Sequence, residues 1–161
     1  MTILIIDGNS YIHRAYHAIQ NLTTSKGEQV NAVFGFTRML IKVLREHNPN
    51  YITVCLDYPA PTFRHKEFPE YKLHRKKTDE ELKNQFSMVK EVLSALNITI
   101  YEKEGFEADD LISTVSERAK NNGIDVVIVT SDKDALQLVD KGVRVLNEPK
   151  NILYDENEVI K

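Results

Sequence analysis

An α/β fold, doubly wound around a mostly parallel central sheet flanked by helices, is what this 161-residue sequence predicts. Short apolar runs of strand length (Ile3–Ile6, Tyr51–Leu56, Val126–Val129) alternate with longer stretches whose apolar residues recur at helical spacing, the pattern of βαβ units. A carboxylate closes or closely follows each run: Asp7, Asp57 and Asp132. No repeat, low-complexity tract or second apolar core interrupts the pattern, so residues 1–161 read as one domain.

Taken in order, the first strand is Ile3–Ile6, and Asn9 or Ser10 can cap a helix running to about Ile19. Val33, Phe36, Leu40, Val43 and Leu44 mark one face of a second helix that ends before Asn48-Pro49. The second strand, Tyr51–Leu56, leads to Asp57. After it comes a proline-punctuated basic stretch from Tyr58 to Thr78 with no period of its own, longer than an ordinary connection and therefore a candidate functional loop. Asp79 caps a helix with the core stripe Leu82, Phe86, Val89, Leu93 and Leu96. Ile98–Tyr101 is a third strand, and Glu107–Asn121 a helix closed by Gly123. Asp125–Val129 and Val143–Leu146 complete the sheet, with a short helix from Asp132 to Val139 between them.

Charge is nearly balanced at −3, but it is unevenly placed. Thr62–Thr78 holds six basic and two acidic residues, a net +4, which leaves −7 for the remainder: an acidic body with one basic segment. No apolar run approaches the roughly 20 residues of a membrane span and no signal-peptide pattern opens the chain, so the expectation is a cytoplasmic protein without a membrane partner. Cys55, alone and inside a strand, excludes an internal disulfide and fits a reducing compartment.

The carboxylates carry the chemistry. Parallel strands bring their carboxyl ends to one edge, where open α/β sheets bind ligands. Asp7, Asp57, the cluster Glu107, Asp109 and Asp110, and the pair Asp132 and Asp134 all fall there. Taken singly, each has a plain explanation as a helix cap or a complement to the helix dipole. Jointly they do not, because two carboxylates about 4 Å apart repel by roughly 4 kcal/mol at an effective dielectric near 20. Divalent metal, which prefers oxygen ligands, resolves the repulsion. In the basic segment, Phe63, Phe68 and Tyr71 are interleaved with Arg64, Lys66, Lys72 and Arg75, a mixture suited to phosphate contact and base stacking. A basic arm beside an acidic pocket is what phosphodiester hydrolysis needs, with metals activating water and cations holding the developing charge.

The motifs Leu4-Ile5-Ile6-Asp7-Gly8-Asn9-Ser10, Asp57 followed by Thr62-Phe63-Arg64, Tyr71-Lys72-Leu73-His74-Arg75, Gly105-Phe106-Glu107-Ala108-Asp109-Asp110 and Thr130-Ser131-Asp132-Lys133-Asp134 occur in this order. Together they closely resemble the 5′-to-3′ exonuclease domain of bacterial DNA polymerase I, of the flap-endonuclease group of PIN-like nucleases. The resemblance covers essentially the whole chain. It implies a PIN-like sheet with a basic arch over about residues 59–90, and DNA with a 5′ flap or 5′ single-stranded end as substrate. It implies that Asp7, Asp57, Glu107, Asp109, Asp110 and Asp132 hold or orient a first Mg²⁺ or Mn²⁺, and that Asp132 and Asp134 contribute to a second. Lys72 and Arg75 match the arch residues that approach the scissile phosphate and are the catalytic candidates. Arg14, Arg64, Lys66, Tyr71, Lys76 and Lys77 are the candidates for substrate contact, and the loop Asn21–Glu28 for the DNA junction. Family members continue into two further metal-ligating aspartates and a helix-turn-helix-like DNA-binding subdomain. This sequence stops at Lys161, before either, so the expectation is an incomplete second metal site. A separate C-terminal polypeptide or polymerase domain is then a further partner.

Two other readings stay open at this stage. One is a nucleic-acid-binding or accessory module of the same fold that does not cut, or one half of a split nuclease. The other is a phosphoacceptor signalling domain, which would use Asp7 and Asp57 but has no role for the basic arm or the Glu107 cluster.

Overall fold

The computed structural model describes residues 1–20, 22–68, 70–72 and 79–160. Strand β1 (Thr2–Asp7) is central: Leu4, Ile5 and Ile6 are fully buried, which requires cover on both faces of the sheet. On one side it pairs in parallel with β2 (Tyr51–Cys55), which pairs with β3 (Thr99–Tyr101). On the other side follow β4 (Asp125–Val129), β5 (Val143–Asn147) and the antiparallel β6 (Ile152–Tyr154). The order β3-β2-β1-β4-β5-β6 reverses direction between β1 and β4, the switch point at which doubly wound sheets bind ligands.

Alternation along the strands makes two cores. Leu4, Ile6, Val54, Leu56, Val127 and Val129 face helices α1 (Gly8–Ala18), α2 (Asn31–His47) and α4 (Glu80–Ala95). Ile5, Cys55, Val126, Ile128 and Val145 face α5 (Ala108–Asn121). Two glycines permit the tight approaches that set the site. A Cβ at Gly8 would stand 2.5 Å from Leu56 Cδ2 and 3.1 Å from the Cys55 carbonyl, so only glycine lets α1 start directly against β2. A Cβ at Gly35 would stand 2.6 Å from that of Ala15, where α1 and α2 cross.

Helix α2 has no local side-chain cap at Val30; its start is instead satisfied from α4. The fully buried Gln85 accepts from the amides of Ala32 (2.7 Å) and Val33 (3.3 Å) and donates to Asn31 Oδ1 (2.8 Å). Asn31 Nδ2 donates in turn to the carbonyls of Tyr16 and Ile19 at the end of α1. Three helices thus share one buried polar network.

The structure corrects several sequence expectations. The cap of α1 is Asp7, not Asn9 or Ser10: Asp7 Oδ1 accepts from the Ser10 amide at 3.0 Å, because the helix begins immediately at the strand end. Leu96 is half-exposed rather than in the core stripe, since α4 ends at Ala95 and Asn97 turns the chain with a left-handed φ of 54°. The short helix placed at Asp132–Val139 is a 3₁₀ turn, Asp134–Leu138. Inside the basic stretch a one-turn helix, α3 (Phe63–Glu67), forms, too short to show a period. Strand β6 and the terminal helix α6 (Glu156–Ile160) were not foreseen. Among the described residues no helix is long and apolar enough to cross a membrane.

Candidate active site

The reversal between β1 and β4 puts the end of β1 beside the residues that follow β4. Asp7 is buried, accepting from Ser10 N and from Thr130 Oγ at 2.7 Å; Thr130 Oγ accepts in turn from the Asp132 amide at 3.0 Å. Ser10 and Ser131 join the same two tips through a 2.6 Å hydroxyl contact. Despite its two donors, Asp7 has a pKa raised to about 6, first by desolvation and further by the charges of Asp109 and Asp57.

Asp57, just after β2, ties α1 to α5. It exchanges two bonds with Asn9, accepting from Asn9 Nδ2 and donating its amide to Asn9 Oδ1, each 2.9 Å, and its other carboxylate oxygen accepts from Ala108 N at 2.7 Å. The first turn of α5 therefore hangs on the β2 tip, which delivers Asp109 to the cluster. Asp109 also has a raised pKa, from desolvation first and then from Asp132, Asp57 and Glu107. Asp109 thus feels the charges of Asp132 and Asp57, and Asp7 those of Asp109 and Asp57.

Glu107 and Asp110 have different surroundings. Arg64, from α3, grips Asp110 with two bonds of 2.8 and 2.7 Å and lies 3.6 Å from Glu107 Oε2. Lys72 Nζ donates to Glu107 Oε1 at 2.7 Å and Tyr71 to Oε2 at 3.0 Å. Desolvation pushes Glu107 up, but the bonds from Lys72 and Tyr71 and the charges of Lys72 and Arg64 outweigh it, so its pKa lies below the usual range. The Arg64 bonds hold Asp110 below it too, against desolvation. Lys72 reaches inward from a left-handed backbone (φ 57°), a region that favours glycine and costs a lysine about 1–2 kcal/mol. Its ion pair with Glu107 and its seat 5.0 Å over the Tyr71 ring hold it there.

Asp7, Asp57, Glu107, Asp109, Asp110 and Asp132 therefore gather at one edge of the sheet. Asp132 and Asp134 are both exposed, and Asp134 gives its amide to Asp132 Oδ1 at 2.9 Å. Arg14, exposed on α1, lines an open concavity of about 380 Å³ with Ser131, Asp132, Lys133 and Lys150. Lys66 is exposed on α3. Arg75, Lys76, Lys77 and part of the 59–90 arch lie outside the described residues, as does Asn21 of the junction loop. Asn9 and Thr130, which fix Asp57 and Asp7, were read from the sequence only as a cap and as part of a motif. An amide or hydroxyl residue at the end of a strand beside a carboxylate was the available signal.

Oxygen-only donors of this kind suit hard divalent cations. Among the described residues no three carboxylates close on one point at ligand spacing, so the arrangement is one of like charges held apart.

Comparison with known proteins agrees with this geometry. The family described as 5′-3′ exonuclease, N-terminal resolvase-like domain, matches residues 2–161. DNA polymerase I of Mycobacterium tuberculosis is 46% identical over 153 residues, spanning 94% of this chain and 17% of the polymerase. A 5′-3′ exonuclease of Aquifex aeolicus is 39% identical over 160 residues, spanning 99% of this chain and 55% of that protein. The T5 D15 protein, co-crystallised with metal ions, superposes with a TM-score of 0.77 at 20% identity, over 99% of this chain and 59% of that one, which shows a shared PIN-like fold. A cluster of strand-tip carboxylates at the switch point of that fold, with a family match over nearly every residue, means that this chain belongs to the 5′-3′ exonuclease family.

Proposed function

We propose that this chain is the nuclease domain of a metal-dependent, structure-specific 5′ nuclease that hydrolyses DNA phosphodiesters at a 5′ flap or 5′ single-stranded end. The gathering of Asp7, Asp57, Asp109 and Asp132 at one edge of the sheet, tied together through Thr130, Asn9 and the Ala108 amide and flanked by two cations, Lys72 and Arg64, is the observation that carries the reading. Asp7, Asp57, Asp109 and Asp132, with Glu107 and Asp110 behind them, would hold a first Mg²⁺ or Mn²⁺, and Asp132 with Asp134 would contribute to a second. Bound there, divalent ions neutralise the scissile phosphate and lower the pKa of water.

The chain's own residues do the rest. Asn9 and Thr130 fix the carboxylates of Asp57 and Asp7, so the donors need little reorganisation. Glu107 and Asp110 hold Lys72 and Arg64 beside the carboxylate cluster, where a phosphodiester can take over their donors. By the family resemblance Arg75 would act with Lys72 at the scissile phosphate, and Arg14, Lys66, Tyr71, Lys76 and Lys77 would contact the strand. Beyond the domain, a polymerase domain or a separate C-terminal polypeptide supplies duplex contacts, in a cytoplasmic setting without a membrane.

The test is cleavage of a labelled 5′-flap DNA with Mg²⁺ or Mn²⁺ against EDTA; products only with metal are expected. A second reading, a module that binds nucleic acid without cutting, is favoured by the spacing of the carboxylates, no three of which lie at ligand spacing among the described residues. Flap binding with no cleavage in either metal would select it.

A further inference from the structure

Two aromatic rings beside the carboxylate pocket belong to neither core. Phe63 opens α3 and Phe106 immediately precedes Glu107, and each is 38% exposed. Their centroids are 5.9 Å apart with planes tilted by 57°. The Phe63 amide donates to the Gly105 carbonyl at 3.1 Å, and Gly105 turns its loop with a φ of +85°, so the loops after β2 and β3 are joined where the rings meet. Each ring carries a cation: Arg64 Cζ lies 4.6 Å from the centre of Phe63, and Lys103 Nζ 4.9 Å from that of Phe106. Arg64 also holds Asp110, which fixes the Phe63 end of the pair to the rim of the pocket.

Two half-exposed phenyl rings cost solvation unless something covers them, and the cations over them limit what can. An apolar peptide would bury Lys103 without an anion to meet it, whereas Arg64 already has Asp110. A nucleic-acid strand offers both a flat π face for the rings and a phosphate for Lys103.

We propose that Phe63 and Phe106, with Lys103, form a stacking platform for unpaired bases of a single DNA strand at the rim of the carboxylate pocket. This rests on the nuclease reading for its choice of strand. Its test is binding rather than cleavage.

The experiment measures fluorescence anisotropy of the full chain with a labelled oligothymidylate and with an abasic strand of equal length, in EDTA at low salt. The platform predicts weaker binding of the abasic strand. It also predicts that Phe106→Ala and the volume-conserving Phe106→Leu each weaken oligothymidylate binding about fivefold to 150-fold, the range for loss of one stacked base. Phe106→Trp should restore binding, and none of the three changes should alter binding of the abasic strand. Lys103→Ala should lower the salt slope by about one. Equal binding of the two strands by the unaltered chain, no binding of either, or indifference to Phe106→Leu would overturn the platform. If base-dependent binding holds and no metal supports cleavage, the nuclease reading falls and the platform stands. If cleavage holds and Phe106→Leu binds normally, the platform alone falls.

Discussion

Replacing Asp7 by asparagine should stabilise the metal-free protein at neutral pH, by an amount that depends on pH in a calculable way. Burial raises the Asp7 pKa from 3.8 to about 6, and at about 1.36 kcal/mol per pKa unit the ionised form costs the fold about 3 kcal/mol above pH 7. Because the folded-state pKa is the higher one, this cost is nearly absent below pH 3.8 and grows as pH rises through about 6. Asparagine removes the charge and keeps an oxygen for the Ser10 amide, but it presents an N–H group to the Thr130 hydroxyl, a loss of about 1 kcal/mol. The net gain at pH 7.5 is about 2 kcal/mol, or about 4–8 °C in melting temperature for a chain of this size. Glu107 and Asp110, with lowered pKa values, lose stability as pH falls, but they do so in both proteins and cancel in the difference. Melting curves in EDTA at pH 4 and pH 7.5 provide the assay. Asp7→Asn should melt higher only at pH 7.5; an equal shift at both pH values, or a lower melting temperature at pH 7.5, would refute the burial argument.

Millimolar Mn²⁺ should stabilise the unaltered protein relative to EDTA, by about 2.7 kcal/mol at 100 times Kd, and so raise its melting temperature, but should do little for Asp7→Asn; a melting temperature indifferent to Mn²⁺ counts against the metal site. Lys72→Ala should slow single-turnover flap cleavage about 10²–10³-fold with a smaller effect on binding. Lys76→Ala and Lys77→Ala should instead weaken affinity and flatten its salt dependence, so equal cleavage defects at all three would refute a special role for Lys72. Gln85→Leu should lower stability by about 2–4 kcal/mol in urea titrations, since it leaves the amides of Ala32 and Val33 and the side-chain Oδ1 of Asn31 without this partner.

Much of this arrangement was legible because strand alternation and acidic tips are local signals. Ile3–Ile6 ending in Asp7, and Val126–Val129 followed by Asp132, placed the sheet and its functional edge. Elements α3, β6 and α6 escaped: the two helices are shorter than two turns, and the three residues of β6 are fewer than any run read as a strand from the sequence. In the site, the membership of the carboxylate cluster was readable but its division was not. That Glu107 and Asp110 would be neutralised while Asp7 and Asp109 would not depends on Arg64 and Lys72 returning across 35 to 46 residues of chain. A one-dimensional pattern carries no distance of that kind. The role of Asn9 was hidden likewise, because its partner Asp57 lies 48 positions away.

The buried cap on α2 also bears on the order in which the chain can become structured. The amide of Ala32 waits for an acceptor 53 residues downstream, so α2 cannot finish its first turn until Gln85 has left the ribosome and α4 has docked. Until then the opening βαβ unit has its strands but an unfinished helix start. Hydrogen exchange at the amides of Ala32 and Val33 therefore reports the docking of a distant helix, and a nascent chain halted before residue 85 should exchange there freely while the same amides are protected in the full chain.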